Sequence, residues 1–407
     1  MRVLFLTHVL PYPLDAGPKV RAYFTLRRLA LNNEVTLISF TRQGDPRDAV
    51  KHLETICSAV HTVPLHRSTR SDVWNLLKSQ MSARPFLVAR DWYPRMAELI
   101  RGLVASEEPF DAVHSDQLAM APYALFTRDI LKPRRPLTVL DEHNAVFKIP
   151  ARMSETESNP LKRVALKREA RKLASYEART CAEFDEVVFV SEEDRASVEA
   201  QCPNEVMRTR SKVIPIAVQP SETVAGRGAG PTPRVTFVGP LHWPPNSQGV
   251  SWFAKQVWPT VHSAVPAAVF TVIGANPPAE IQSLRGESVQ IKGHVADIDS
   301  YLDESRVFVV PLLAGGGVRV KILECWSKCI PAVSTSIGAE GLHAVNGQNI
   351  LLADTAKEFA RQVIRLLTEP PLATRIAVQG QRTIATYYDW RKAYHSWDEV
   401  YRCASFS

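Results

Sequence analysis

"SRVFVVPLLAGGGVRVKILECWSKCIPAVSTSIG", residues 305–338, decides the fold class. A β-branched apolar run at 305–310 passes through Pro311 to three consecutive glycines, Gly315, Gly316 and Gly317. A helical pattern follows, and a second apolar run starts near Pro331. Strand, glycine turn, helix and strand in that order make a βαβ unit, which requires a parallel sheet.

The same alternation extends in both directions. On the N-terminal side lie "RVTFVGP" (234–240), a helix near 247–263, "AVFTVIGANP" (268–277) and "SVQIKGHV" (288–295). Before them, 221–234 is rich in Gly, Pro and small polar residues and reads as a linker. A first series precedes it: "RVLFLT" (2–7), a helix, "EVTLISF" (34–40), "DAVHSD" (111–116), "LTVLDEHN" (137–144) and "EVVFV" (186–190). The 407 residues therefore form two α/β domains, 1–218 and 219–386, and 387–407 add an aromatic-rich helix.

In an open parallel sheet, ligands bind beyond the carboxyl ends of the strands. The unusual residues of this chain gather there: Gly17, Asp141, His143, Asn144, Ser191, Gly239, Gly274, Gly293 and the 315–317 glycines. Glycines admit backbone amides close to a ligand, and a helix N-terminus favours anions. With Arg319 and Lys321 in the first turn, 315–321 reads as a diphosphate site. Glu324 would repel phosphate but can accept from the two hydroxyls of a ribose. The bland alternative is a surface ion-pair row, Lys321, Glu324 and Lys328. For His143 the alternative is a loop histidine that caps backbone amides.

Composition narrows the function classes. Hydrophobic residues make up 45% and charged residues 22%, as in an ordinary globular protein, and no apolar run reaches the ~20 residues that span a bilayer. "MRVLFLTHVLPYP" reads as a strand rather than a signal peptide. Six cysteines without metal-type spacing read as free thiols in a reducing cytoplasm. The net charge is +7, with +5 of it in residues 1–220, which suits phosphorylated ligands or a lipid surface. A long basic helix (159–180) lacks any base-reading motif, so no nucleic acid is expected.

The stretch 311–342 resembles the donor-site signature of retaining GT-B glycosyltransferases of the large group-one, sucrose-synthase-like family. The likeness extends to "FVGPLHWPPNSQGVSWF" (237–253), "VIGANPP" (272–278), "IKGHVADIDSYL" (291–302), "LPYPLDAGPKVRAYFTLRRLA" (10–30) and "LDEHNAVF" (140–147), and to the closing "YYDWRKAYHSW". It implies two Rossmann-like domains facing each other across a cleft, with the C-terminal helix crossing back to the first. It further implies sugar transfer from a nucleoside diphosphate sugar to an acceptor hydroxyl, with retention. The donor is a substrate, so no cofactor is expected, and Arg319 and Lys321 stand in for a metal.

By resemblance, Glu324 matches the second acid of a Glu-x7-Glu element and holds the ribose. His143 lies at the donor sugar, and Gly17 approaches the diphosphate. Gly293 and Val295 meet the base. Ser191, Gly239, Asn246, Gly274, Val318 and Gly315–Gly317 complete the expected donor contacts; His143, Lys321 and Glu324 are the expected catalytic set. Departures are Gly316 at the first acid, Pro18 at a second glycine, and "LHWPPN" (241–246) where Arg and Lys are common, the last marking a W-x-P-N subgroup. A non-catalytic nucleotide-sugar-binding protein and a nucleotide-sugar epimerase remain as alternatives. The acceptor is expected to be a saccharide, a lipid-linked saccharide or a small molecule, met by first-domain loops such as 66–95 with His66, Arg67, Arg70, Arg84, Arg90 and Trp92. The run 72–103 reads equally as an interfacial amphipathic surface or a helical lid. A cytoplasmic location follows, with peripheral contact at the inner membrane face left open.

Overall fold

The structure is a computed structural model and describes residues 1–66, 79, 82, 85–106, 108–202, 210–221, 233–295 and 297–402. Arg67, Arg70, Arg84, Cys403 and most of the expected linker lie outside the described residues. The chain divides into two compact units: Met1–Ala217 with Trp390–Ser407, and Val218–Asp389. Among the described residues no helix is long and apolar enough to cross a membrane.

The first unit holds a parallel sheet of β1 (Arg2–Thr7), β2 (Glu34–Thr41), β3 (Ala59–Pro64), β4 (Ala112–Asp116), β5 (Leu137–Glu142), β6 (Glu186–Phe189) and β7 (Ser211–Val213). Its order is β3-β2-β1-β4-β5-β6-β7. β1 reads as an almost unbroken apolar run because helices cover both faces, and all but its first residue are buried. Val3 pairs with Val35 on one side and Ala112 on the other, so the chain order reverses between β1 and β4. That reversal is the topological switch point, where the loops after two adjacent strands splay apart.

The second unit repeats the plan with β8 (Arg234–Val238), β9 (Val269–Ile273), β10 (Val289–Gly293), β11 (Ser305–Val310), β12 (Ala332–Ser334) and β13 (Leu351–Leu352), ordered β10-β9-β8-β11-β12-β13. Its switch point lies between β8 and β11. Phe237, Phe253, Phe270 and Val309 are fully buried in its core. The helix expected at 247–263 is interrupted: a π-helical turn at Phe253–Val257 separates Pro244–Trp252 from Trp258–Ala264.

The chain returns to the first unit at Trp390, rather than at residue 387, and as two short helices, Trp390–Ala393 and Ser396–Arg402, instead of one. Asp389 is extended and bridges to Val218, which ends the preceding helical run. Trp390 then stacks on Phe24 at 5.4 Å, and Arg28 pairs with Asp398.

Candidate functional site

In the second unit, the glycines at the strand ends are set by close approach. Gly239 donates to the Ile273 carbonyl at 2.9 Å, and Gly274 donates to the Gly293 carbonyl at 2.8 Å. A Cβ on Gly274 would fall 1.8 Å from the Gly239 carbonyl oxygen, so this glycine serves packing between β8 and β9. Gly293 has φ +69° and open space beside it, and Val295 is half-buried two residues on.

Across the switch point, the glycine loop follows β11. Gly315 and Gly317 have φ +138° and +74°, which L side chains rarely adopt. The guanidinium of Arg319 folds back onto the loop and donates to the carbonyls of Gly316 and Gly317. A Cβ on Gly315 would meet that guanidinium at 2.6 Å. Arg319 is thus the N-cap residue of the helix Val320–Ser327 and a brace for its own loop, while Val318 is half-buried beside it.

Lys321 occupies the helix's first turn. Its Nζ donates to Asn246 Oδ1 at 3.1 Å and lies 4.4 Å from the centre of the Phe237 ring. Burial, and secondarily Arg319, push its amine down to about 7, against a smaller opposing effect of Glu324. Glu324 is half-buried one turn further in, and Lys328 pairs with Asp299 at 2.7 Å.

In the first unit, His143 follows β5 and is buried. Its Nε2 lies 2.9 Å from Asp116 Oδ1 and 3.7 Å from Asp141 Oδ2. Burial alone would lower its pKa, but the two carboxylates outweigh burial and raise it to about 9. The ring is therefore an imidazolium at neutral pH. The amide of Gln117 lies 3.3 Å from Nδ1. A ring that donates from both nitrogens selects the amide rotamer with Oε1 turned to Nδ1. Gln117 itself has φ +75°, uncommon for a non-glycine residue, at the first unit's switch point.

Asp141 is shared. Arg21 grips it in two bonds, 2.9 Å from Nε and 2.8 Å from Nη2, with both side chains fully buried. Arg21 also donates to the carbonyls of Ile214 and Pro215 and to the Tyr394 hydroxyl. Despite its burial, the Asp141 carboxyl is held below the usual range by Arg21 and His143. Burial drives the neighbouring His114 down to about 4, so it is neutral, bonded to Tyr401 and stacked on Phe5. Potential ligand atoms of His114, Asp116 and Asp141 lie within 4.8 Å of one another. Arg21 and His143 already supply two positive charges there, which opposes a metal ion.

Other expected residues are placed as follows. Gly17 opens the helix Gly17–Leu29, after the loop that follows β1. Ser191 Oγ accepts from the Asp194 amide at 3.1 Å and caps the helix Glu192–Glu199. That first turn carries three acids, Glu192, Glu193 and Asp194, so in this structure Ser191 serves as a helix cap. Sequence reasoning missed Arg21, Asp116 and Gln117. Asp116 carried a signal, an acid at the carboxyl end of a strand; Arg21, on a helix, carried none.

Comparison with known proteins fits this geometry. Residues 232–369 match the family Glycosyl transferases group 1. The matched segment contains Gly239, Asn246, the 315–317 glycines, Lys321 and Glu324. An uncharacterized 44.6 kDa protein in the cps region of Klebsiella pneumoniae is 28% identical over 171 residues, 40% of this chain. The alignment spans 44% of that relative's length. Among solved structures, HepE from Anabaena in complex with UDP and glucose is similar with TM-score 0.70 at 12% identity, covering 98% of this chain and 99% of its own. Sucrose-phosphate synthase from Thermosynechococcus elongatus gives 0.71 at 14%, covering 99% and 98%. The fold is GT-B, with two Rossmann-like domains.

Proposed function

We propose that the protein transfers a sugar from a nucleoside diphosphate sugar to an acceptor hydroxyl, with retention, in polysaccharide, glycolipid or glycoconjugate synthesis. The supporting observation is Lys321: an amine held by a neutral amide, at the switch point of the second sheet, next to a glycine loop and a helix N-terminus. A diphosphate anion would complement this arrangement. In this reading the bond from the anomeric carbon to the diphosphate oxygen breaks as the acceptor oxygen bonds on the same face. The acceptor proton passes to the leaving diphosphate. Lys321, Arg319 and the loop amides stabilise that leaving group, and Glu324 holds the ribose. The imidazolium of His143 acts as a donor and positive charge at the reacting sugar, not as a base. Protein cations meet the phosphate charge, so chelation with EDTA should leave turnover unchanged.

The direct test is calorimetry on Arg319→Gln and Lys321→Gln. Both variants should weaken nucleoside diphosphate and sugar-nucleotide binding while affinity for the free nucleoside stays nearly unchanged; equal losses for both ligands would defeat the reading. NMR of the product anomer then decides retention.

Gly316, in place of an acid, favours a second reading, a nucleotide-sugar-binding protein without turnover. Slow release of nucleoside diphosphate from the donor supports the transferase, and binding alone supports the second reading. Acceptor recognition, by a saccharide, lipid-linked saccharide or small-molecule site, we assign to the first unit, in the cytoplasm. Its helix Pro160–Glu183 begins with Leu161 and Val164, 81% and 65% exposed, beside Lys162, Arg163 and Lys167. That end suits peripheral contact with anionic lipid.

A further inference from the structure

We propose that Asn246 is a positioning residue for Lys321, and that binding of the donor diphosphate transfers one proton from solvent onto the Lys321 amine. The inference rests on the donor site proposed above. Among the described residues Asn246 is the hydrogen-bond partner of Lys321, at 3.1 Å through Oδ1. The amide cannot turn over without loss, because its Nδ2 donates to the Pro240 carbonyl at 2.9 Å and so fixes the oxygen toward the amine. Gly239 leaves the space: a Cβ there would lie 2.6 Å from Lys321 Nζ and 3.0 Å from Asn246 Nδ2. Residues 237–246 and the helix Val320–Ser327 thus build one seat for one amine.

The seat is poor for an ammonium by itself. An ammonium has three N–H donors, and here a single neutral oxygen accepts, with a ring face below. Of the charged groups around it, Arg319 from the preceding loop repels the charge, and Glu324 from the same helix favours it less strongly. β8 offers Phe237 and the helix Pro244–Trp252 offers Asn246, both neutral. Burial leads these effects and brings the amine down to about 7. A diphosphate supplies the missing acceptors and negative charge, so the bound amine is the protonated one. The folded-state affinity for a diphosphate is then greatest below pH 7. It falls by up to about tenfold per pH unit above 7, until the pKa of the bound amine is reached.

The experiment is calorimetry of the full chain with UDP, GDP and ADP at pH 8, in buffers of different ionisation enthalpy. At that pH the terminal phosphate, with a second pKa near ~6, is already ionised. Uptake of about one proton per nucleoside diphosphate is expected, against about none for Lys321→Met. Asn246→Asp should also abolish the uptake, because a carboxylate keeps the amine charged before binding, and should weaken diphosphate binding tenfold or more without changing nucleoside affinity. Diphosphate binding with no proton uptake, or the same uptake in Lys321→Met, overturns this inference alone. Failure of all three diphosphates to bind overturns it together with the donor site.

Discussion

Asp141 and Lys321 both sit at the carboxyl edge of a parallel sheet, one in each unit, and their neighbourhoods differ. Asp141 receives a guanidinium in two bonds and an imidazolium at 3.7 Å, all buried. Lys321 receives one amide oxygen. In the first unit opposite charges of the chain cancel one another before any ligand arrives, which fixes the ring of His143 and its protonation. In the second unit the Lys321 amine has, among the described residues, one neutral acceptor, which suits a site whose anion comes and goes. The first arrangement spends its electrostatics on geometry, the second on binding.

Substitutions can break this contrast, and the largest effect belongs to the first unit. Arg21→Met leaves Asp141 buried with half its compensation, and removing one partner of a buried pair costs about 3–5 kcal/mol. Thermal unfolding should show the first unit's transition falling while that of the second stays; a common shift of both would mean that the two units unfold as one.

Next is His143. Apart from Gly17, every residue proposed for the diphosphate belongs to the second unit, so His143→Ala should leave donor Kd within a few-fold. Single-turnover rate should fall by on the order of a hundredfold, about 2.7 kcal/mol. The sign of its pH dependence follows from the raised pKa. Stability and activity that need the imidazolium are complete below about 6.5, the ordinary histidine value, and are lost as pH rises through about 9. A wild-type alkaline limb near 9 that survives in His143→Gln would assign that limb to another group.

Glu324→Ala should lower kcat/KM by about ten- to a hundredfold, mainly through donor KM, consistent with roughly 1.5–3 kcal/mol for a charged hydrogen bond. Lys328→Ala sharpens the reading from the small end. Its partner Asp299 is exposed, so its loss should cost under about 1 kcal/mol of stability and leave donor kinetics unchanged. Matching losses in the two variants would return Glu324 to a surface charge row.

The second unit's part of the site was readable because it is local. Gly315–Gly317, Lys321 and Glu324 lie within ten residues on a strand–turn–helix whose geometry is set by sequence alone. The first unit's network was not, because Arg21, Asp116 and Asp141 meet only after the sheet order brings β1, β4 and β5 together. Arg21 on a helix reads as a solvated cation until the carboxyl-terminal segment is seen to cover it. The same limit explains the strands that were missed. β7 and β13 span three and two residues, too few to show a period, and β3, "AVHTVP", is broken by His61 and Thr62 and ends in a proline. Their pairing depends on the neighbour already in place rather than on their own pattern.

The return of residues 390–402 to the first unit has a consequence for biosynthesis. Tyr394 caps Arg21 and the Ala217 amide, Tyr401 holds His114, and Trp390 stacks on Phe24. A ribosome makes these residues only after the whole second unit, which at about 5–20 residues per second is a delay of roughly 10–30 s. Through that interval the nascent first unit keeps an unroofed aromatic and charged surface, and the second unit, encoded later, is free to finish folding before it. The later-made unit can thus complete its fold before the earlier-made one.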